Sequence, residues 1–229
     1  VRAALLSYEY ARRYGGKFIL RFEDTNPQNA RLDMYELIRT DLRWLGIDWQ
    51  EEYYQSDRLE LYYRYAERLI REGRAYVCTC PPAEFKRRRD AGEACPCREL
   101  GPAEHLRRWE AMLAGELGEG KAVVRIKTEL SHPNPAVRDW PALRVVTSPH
   151  PRKGSAYRVW PLYNFSVSID DHEMGITHIF RGKEHEVNQQ CQEYLYRHLG
   201  WEYPVSIQFG RLEIEGAELS KSRIIEGIE

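Results

Sequence analysis

Ala4, Leu5, Tyr8, Ala11 and Arg12 recur at helical spacing, and Gly15-Gly16 closes the segment Arg2 to Tyr14 as a C-cap does. Lys17 to Phe22 is a run of strand length. The polar turn Glu23-Asp24-Thr25-Asn26-Pro27 follows it, and then a second helical pattern through Leu32, Tyr35, Ile38, Leu42 and Leu45 that ends at Gly46. Ser56-Asp57, with Glu60 three residues beyond Asp57, predicts a capped helix start, and Leu59, Tyr62, Tyr63, Ala66 and Leu69-Ile70 carry that helix to Gly73. Alternating helices and strands predict an α/β core.

The texture changes from about Ala75 to Pro161, where cysteines, prolines and a basic cluster precede β-rich stretches at Ala122 to Thr128 and Leu143 to Thr147. Helix and strand alternation then resumes, with a strand at Ile176 to Phe180, a helix at Glu186 to Leu199 and a strand at Val205 to Phe209. The pattern predicts a first domain in two halves, residues 1–74 and 162–229, split by an inserted α+β segment at 75–161.

Composition adds limits. The 229 residues carry 34 Lys plus Arg against 35 Asp plus Glu, with 42% hydrophobic residues, which suits a globular protein and excludes a histone-like basic coat. No apolar run is long enough for a membrane span, and the first residues lack the order of a signal peptide. Five cysteines, an odd number, fit a reducing compartment, so the expectation is a cytoplasmic protein with no membrane partner. Val at position 1, and an end at Glu229 just after a polar, glycine-bearing segment, suggest a piece of a longer chain.

Four of the cysteines form Cys78-x-Cys80, fourteen residues, Cys95-x-Cys97, enough soft thiolates for a closed structural zinc site, with inert or redox-active thiols as the other reading. Glu23 to Asn26 lies where open α/β sheets bind ligands, yet Asp24, Thr25 and Asn26 can equally turn the chain and cap a helix. Lys86-Arg87-Arg88-Arg89 can meet phosphate, but Pro81 to Glu110 holds seven basic against six acidic side chains, as a solvated helix face would. Arg181 closes an apolar strand beside Gly182, well placed to grip a carboxylate or phosphate, or else to pair with Asp170 or Asp171. Those two acids read more simply as part of a loop than as metal ligands. Ser220-Lys221-Ser222 offers a mobile charge among small residues, which suits phosphate.

In order along the chain, these segments resemble the glutamyl and glutaminyl branch of the class I aminoacyl-tRNA synthetases, most closely the archaeal-type glutamyl enzymes. Gly15 to Pro27 looks like that branch's signature, and Leu219-Ser220-Lys221-Ser222 resembles its Lys-Met-Ser-Lys-Ser loop, with Leu for Met and Glu218 where the first lysine would stand. The His-Ile-Gly-His signature, which in the family comes immediately before a helix like Arg2 to Leu6, is missing, so the resemblance implies a core cut just before Val1 and ending before any anticodon-binding domain.

The resemblance implies a Rossmann-like nucleotide-binding fold split by a module that holds the tRNA acceptor end. It also implies the catalytic core of a glutamate–tRNA ligase, impaired or inactive alone, with a glutaminyl enzyme or a non-catalytic RNA-binding piece as rivals. It assigns Glu23 to the substrate's α-ammonium with Arg21 beside it, Tyr163 to the amino-acid pocket, and Arg181 to the side-chain carboxylate. Glu184, Arg211 and Leu212 fall near the adenosine, and Lys221 with Ser220 at the ATP phosphates. ATP with Mg2+, glutamate and tRNA(Glu) are the implied ligands, tRNA(Gln) is an open second acceptor, and related bacterial enzymes carry zinc on a Cys-x-Cys start.

Overall fold

The computed structural model describes residues 1–210. Its helices are α1 (Arg2–Arg13), α2 (Leu32–Trp44), α3 (Leu59–Arg71), α4 (Pro82–Ala91), α5 (Pro102–Ala114), α6 (Tyr163–Glu173) and α7 (Glu186–Leu199). The strands are β1 (Ile19–Phe22), β2 (Glu51–Tyr54), β3 (Ala75–Cys78), β4 (Val123–Ile126), β5 (Pro141–Val145), β6 (Val159–Pro161), β7 (His178–Gly182) and β8 (Val205–Phe209). Mixed helix and strand is the class the periodicity predicts. The helix at Glu186 to Leu199 falls on its expected bounds, and Gly46, at φ 72°, lets the Ile47 N–H turn back to the Leu42 carbonyl at 2.9 Å and close α2.

Two parallel pairs flank one antiparallel sheet: β1 with β2, β7 with β8, and between them in sequence the four-stranded order β3-β4-β5-β6. Strand β3 is buried at all four positions and so shows no alternation.

The antiparallel sheet shares its core with helices from outside 75–161. Tyr62, Ala66 and Leu69 of α3, Phe165 and Ile169 of α6 and Leu195 of α7 pack in one cluster with Val77, Val124, Leu143 and Trp160. A smaller core of Leu20, Phe22 and Tyr35 lies under β1 and α2. Among the described residues no helix is long and apolar enough to cross a membrane.

The predicted cap at Ser56-Asp57 is not made. Both residues lie in a 3-10 turn, Arg58 precedes α3 with no side-chain cap bond, and Ser56 is buried with its hydrogen bonds directed elsewhere. Asp57 instead meets Arg152 at 2.7 Å and Lys153 at 2.6 Å. A buried carboxylate nearby, Asp24, is a stronger acceptor than anything the helix start offers the Ser56 hydroxyl.

Candidate active site and cysteine cluster

Alternation along β1 buries Leu20 and Phe22 in the small core and sends Arg21 to the other face, toward α6. There its guanidinium meets Asp171 at 2.8 Å and Asp170 at 3.9 Å. Asp170 is fully buried and also accepts from Arg58 Nε at 2.7 Å, Gln55 Nε2 at 2.8 Å and the Tyr62 hydroxyl at 2.7 Å. The two acids are therefore not in a loop: they sit in α6, where burial raises the Asp171 pKa against the pull of Arg21. Burial opposes the charge of Arg21 as well, but Asp171 and Asp170 more than offset it and raise its pKa.

The turn after β1 divides its labour. The Asp24 carboxylate accepts from the Ser56 N–H at 2.8 Å, the Ser56 hydroxyl at 2.7 Å and the Tyr35 hydroxyl at 2.9 Å, while its backbone carbonyl lies 2.8 Å from His150 Nε2. Buried and satisfied, Asp24 fixes the turn. Its neighbour Glu23 stays accessible, and loss of hydration raises its carboxyl pKa while Arg21 pulls it back.

Arg181, at the carboxyl end of β7, is 7% exposed. It does not pair with Asp170 or Asp171, which are occupied by Arg21 and Arg58. Its Nη1 donates to Gln192 Oε1 at 2.9 Å and its Nη2 to the Tyr203 hydroxyl at 2.7 Å. Tyr163, the first residue of α6, faces the same space: burial raises its phenol, the Arg181 charge lowers it, and the Glu23 charge raises it. Arg21, Glu23, Tyr163 and Arg181 thus converge from β1, α6 and β7 on one region. Glu184 lies exposed in the turn after β7, with its carboxylate folded over Gly182, where an added Cβ would collide with Oε2. Arg211, Leu212, Ser220 and Lys221 lie outside the described residues.

The sulfur atoms of Cys78, Cys80, Cys95 and Cys97 all lie within 4.8 Å of one another, with Cys78 to Cys95 at 3.9 Å and Cys80 to Cys97 at 3.6 Å. Zn–S bonds of about 2.3 Å in a tetrahedron give sulfur edges of roughly 3.8 Å, so the four thiols fit a zinc ion. The hydrogen bond from Cys78 is the main reason the Cys95 thiol is pulled down to about 5. Burial opposes ionisation of Cys97, yet bonds from the Thr79 N–H and hydroxyl and from Arg108 bring it below the ordinary thiol range. Arg98, in the second cysteine turn, anchors that turn to the sheet through Asp139 at 2.9 Å. The basic cluster in α4 is largely used within its own helix: Lys86 pairs with Asp90, Arg88 with Glu84 and Arg89 with Asp90.

Residues 1–226 match the family of class I tRNA synthetases for Glu and Gln, catalytic domain. The chain belongs to this family. It is 62% identical over its whole length to the glutamate–tRNA ligase of Pyrococcus furiosus, and 56% identical over 99% of its length to that of Methanothermobacter marburgensis, both archaeal-type relatives as the signature implied. It spans about 40% of the length of the curated relatives it matches. Among solved structures it resembles a glutamate tRNA ligase from Elizabethkingia meningosepticum in complex with its amino acid, at a TM-score of 0.71 and 25% identity, covering 98% of this chain and 49% of that one. The fold is thus that of the class I synthetase catalytic domain.

Several groups around the candidate site carry little signal in the sequence. The Asp24–Ser56–Tyr35 lock joins residues far apart in the chain, and no local pattern announces it. Phe165 and Ile169, four apart and both buried, were the available sign that Asp170-Asp171 continues a helix. Gln192 and Tyr203, neutral and unremarkable in sequence, are the direct partners of Arg181.

Proposed function

We propose that this chain is the catalytic core of a glutamate–tRNA ligase, which activates glutamate with ATP to glutamyl-adenylate and transfers it to the 2'-hydroxyl of the terminal adenosine of tRNA(Glu) in the cytoplasm. The observation that carries the reading is Arg181: a buried guanidinium held by neutral partners lacks the anion that a buried cation requires. A side-chain carboxylate of the substrate supplies that anion, and the amide of glutamine does not, which disfavours the glutaminyl reading. Glu23 receives the α-ammonium, Arg21 braces the strand that leads into Glu23, and Tyr163 walls the pocket.

With those groups orienting it, the α-carboxylate attacks the α-phosphorus of ATP, and pyrophosphate leaves. Glu184, Arg211 and Leu212 hold the adenosine end, and Lys221 with Ser220 holds the phosphates and offsets charge developing at phosphorus. Magnesium bound with the nucleotide would neutralise triphosphate charge; among the described residues the cysteine cluster is the one group of three or more metal-donor side chains, so the nucleotide phosphates would be its main ligands. No protein nucleophile takes part. The antiparallel sheet and its helices, 75–161, form the module that receives the tRNA acceptor end.

The four cysteines hold a structural zinc that braces the start of that module. Elemental analysis of the purified protein tests it: stoichiometric zinc supports the site, and four freely titratable thiols with no metal remove it. For the reaction, glutamate-dependent ATP–pyrophosphate exchange, measured with tRNA present on the full-length protein, is the decisive assay. Exchange with glutamate and none with glutamine supports the reading; absence of exchange with either leaves the RNA-binding reading in its place. Charging assays with purified tRNA(Gln) decide whether that acceptor is used as well.

A further inference from the structure

Arginines buried in proteins are ordinarily met by carboxylates, because a guanidinium removed from water needs both charge and hydrogen bonds. Arg181 has only the second. Its Nη1 and Nη2 are taken by Gln192 Oε1 and the Tyr203 hydroxyl, its Nε is buried with no hydrogen-bond partner among the described residues, and among those residues no carboxylate forms an ion pair with it. Asp171, which feels the charge of Arg181, is already bound to Arg21 at 2.8 Å.

The two partners are locked to each other and to the pocket wall. The Tyr203 hydroxyl gives its one proton to Gln192 Oε1 at 2.7 Å while accepting from Arg181, so Gln192 Oε1 receives two donors and both its lone pairs are filled. That leaves Gln192 Nε2 to donate, which it does to Asn164 Oδ1 at 3.1 Å, and Asn164 in turn donates to Asn188 Oδ1 at 3.1 Å. Asn164 follows Tyr163 directly in α6. Gln192 is fully buried, and each bond in the chain fixes which end of its amide faces the guanidinium.

We infer that Gln192 and Tyr203 are specificity-determining positioning residues: a charge-neutral clamp that aims Arg181 while leaving its positive charge uncompensated for an anionic substrate side chain. The inference rests on the proposed glutamate-activating function and deepens it. A glutamate at position 192 would have nearly the same shape as Gln192 but would satisfy Arg181 from within the protein. The pocket would then present a neutralised guanidinium and a spare carboxylate oxygen, an environment that rejects the carboxylate of glutamate and accepts the amide N–H of glutamine.

The test is the Gln192→Glu variant of the full-length protein, assayed by ATP–pyrophosphate exchange with glutamate or glutamine and tRNA present. The expected result is a glutamate KM about 50-fold higher, an ATP KM within about twofold of the parent, and a glutamate-over-glutamine preference reduced about 100-fold. Gln192→Met removes the amide without adding charge; it should raise the glutamate KM less and keep the preference. Tyr203→Phe, the mildest change, should raise the glutamate KM about fivefold with the preference intact, and it serves if Gln192→Glu fails to fold. Retained preference in a folded Gln192→Glu, or preference lost equally in Gln192→Met or in Tyr203→Phe, overturns the clamp. If the parent protein itself shows no glutamate-dependent exchange, the proposed function falls first and the inference falls with it; parent activity with an unmoved preference in a folded Gln192→Glu, or with an unmoved glutamate KM in Tyr203→Phe, rejects the inference alone.

Discussion

Arg21 and Arg181 occupy equivalent places, each at or near the carboxyl end of a strand in a two-stranded parallel pair, and each is largely buried. Their surroundings are opposite. Arg21 is compensated from within by Asp171 and Asp170, and Asp170 is further tied to Arg58, Gln55 and Tyr62. Arg181 has only an amide and a phenol. One arginine is a strut that joins β1, α3 and α6; the other is held ready with its charge free. Residue type and position on the strand do not separate these roles, whereas the carboxylates each guanidinium pairs with do.

The contrast can be broken most forcefully at Asp170. Asp170→Asn leaves Arg58 and Arg21 short of a buried partner, and the expected loss is about 3–5 kcal/mol of stability, read as a lower urea midpoint. A midpoint close to the parent's would mean that Arg21 is not a strut. Next is Arg181→Gln, for which kcat/KM for glutamate should fall about 30- to 1000-fold with ATP KM unchanged and stability nearly intact, the reverse of the first variant. Equal losses for both substrates would erase the distinction between the two arginines.

Ser56→Ala, which strips one of the three donors from Asp24, should cost about 1–2 kcal/mol in the same urea titration. The smallest effect concerns pH. Because Glu23 titrates above its ordinary range, acidification protonates it earlier than a free carboxylate, so the ionised form, to which the proposed function assigns the substrate ammonium, is lost sooner as pH falls. Glutamate KM should climb on the acid side with an onset above the usual carboxylate range, and Glu23→Gln should remove that limb while raising KM throughout. A limb that survives in Glu23→Gln belongs to another group.

How much of this was readable from the chain depends on the kind of signal. Elements marked by periodicity and glycine stops, such as α2 ending at Gly46 and α7, were legible, as was the four-cysteine spacing that brings the sulfurs together. Strand β3 was not, because a fully buried strand lacks alternation. Asp170-Asp171 misled because adjacent acids usually mark solvent; here each is neutralised by an arginine from a distant segment, and such pairing leaves no local trace. Ser56 misled for a related reason, since a serine before a helix can bond to whatever carboxylate the tertiary fold delivers. Arg21, Glu23, Tyr163 and Arg181 stand in signatures and at strand ends that the sequence displays, whereas the neutral partners that separate Arg181 from Arg21 follow no pattern.

The shared core has a bearing on protein engineering. Leu69 and Tyr62 of α3, Phe165 and Ile169 of α6 and Leu195 of α7 pack directly with the antiparallel strands. Residues 75–161 are therefore not a cassette that can be lifted out and exchanged between relatives at its sequence boundaries. Any chimaera that imports a foreign sheet has to bring matching faces of α3, α6 and α7 with it, and α6 carries Tyr163, Asp170 and Asp171. Transplanting the sheet means rebuilding the helix that carries the proposed amino-acid pocket.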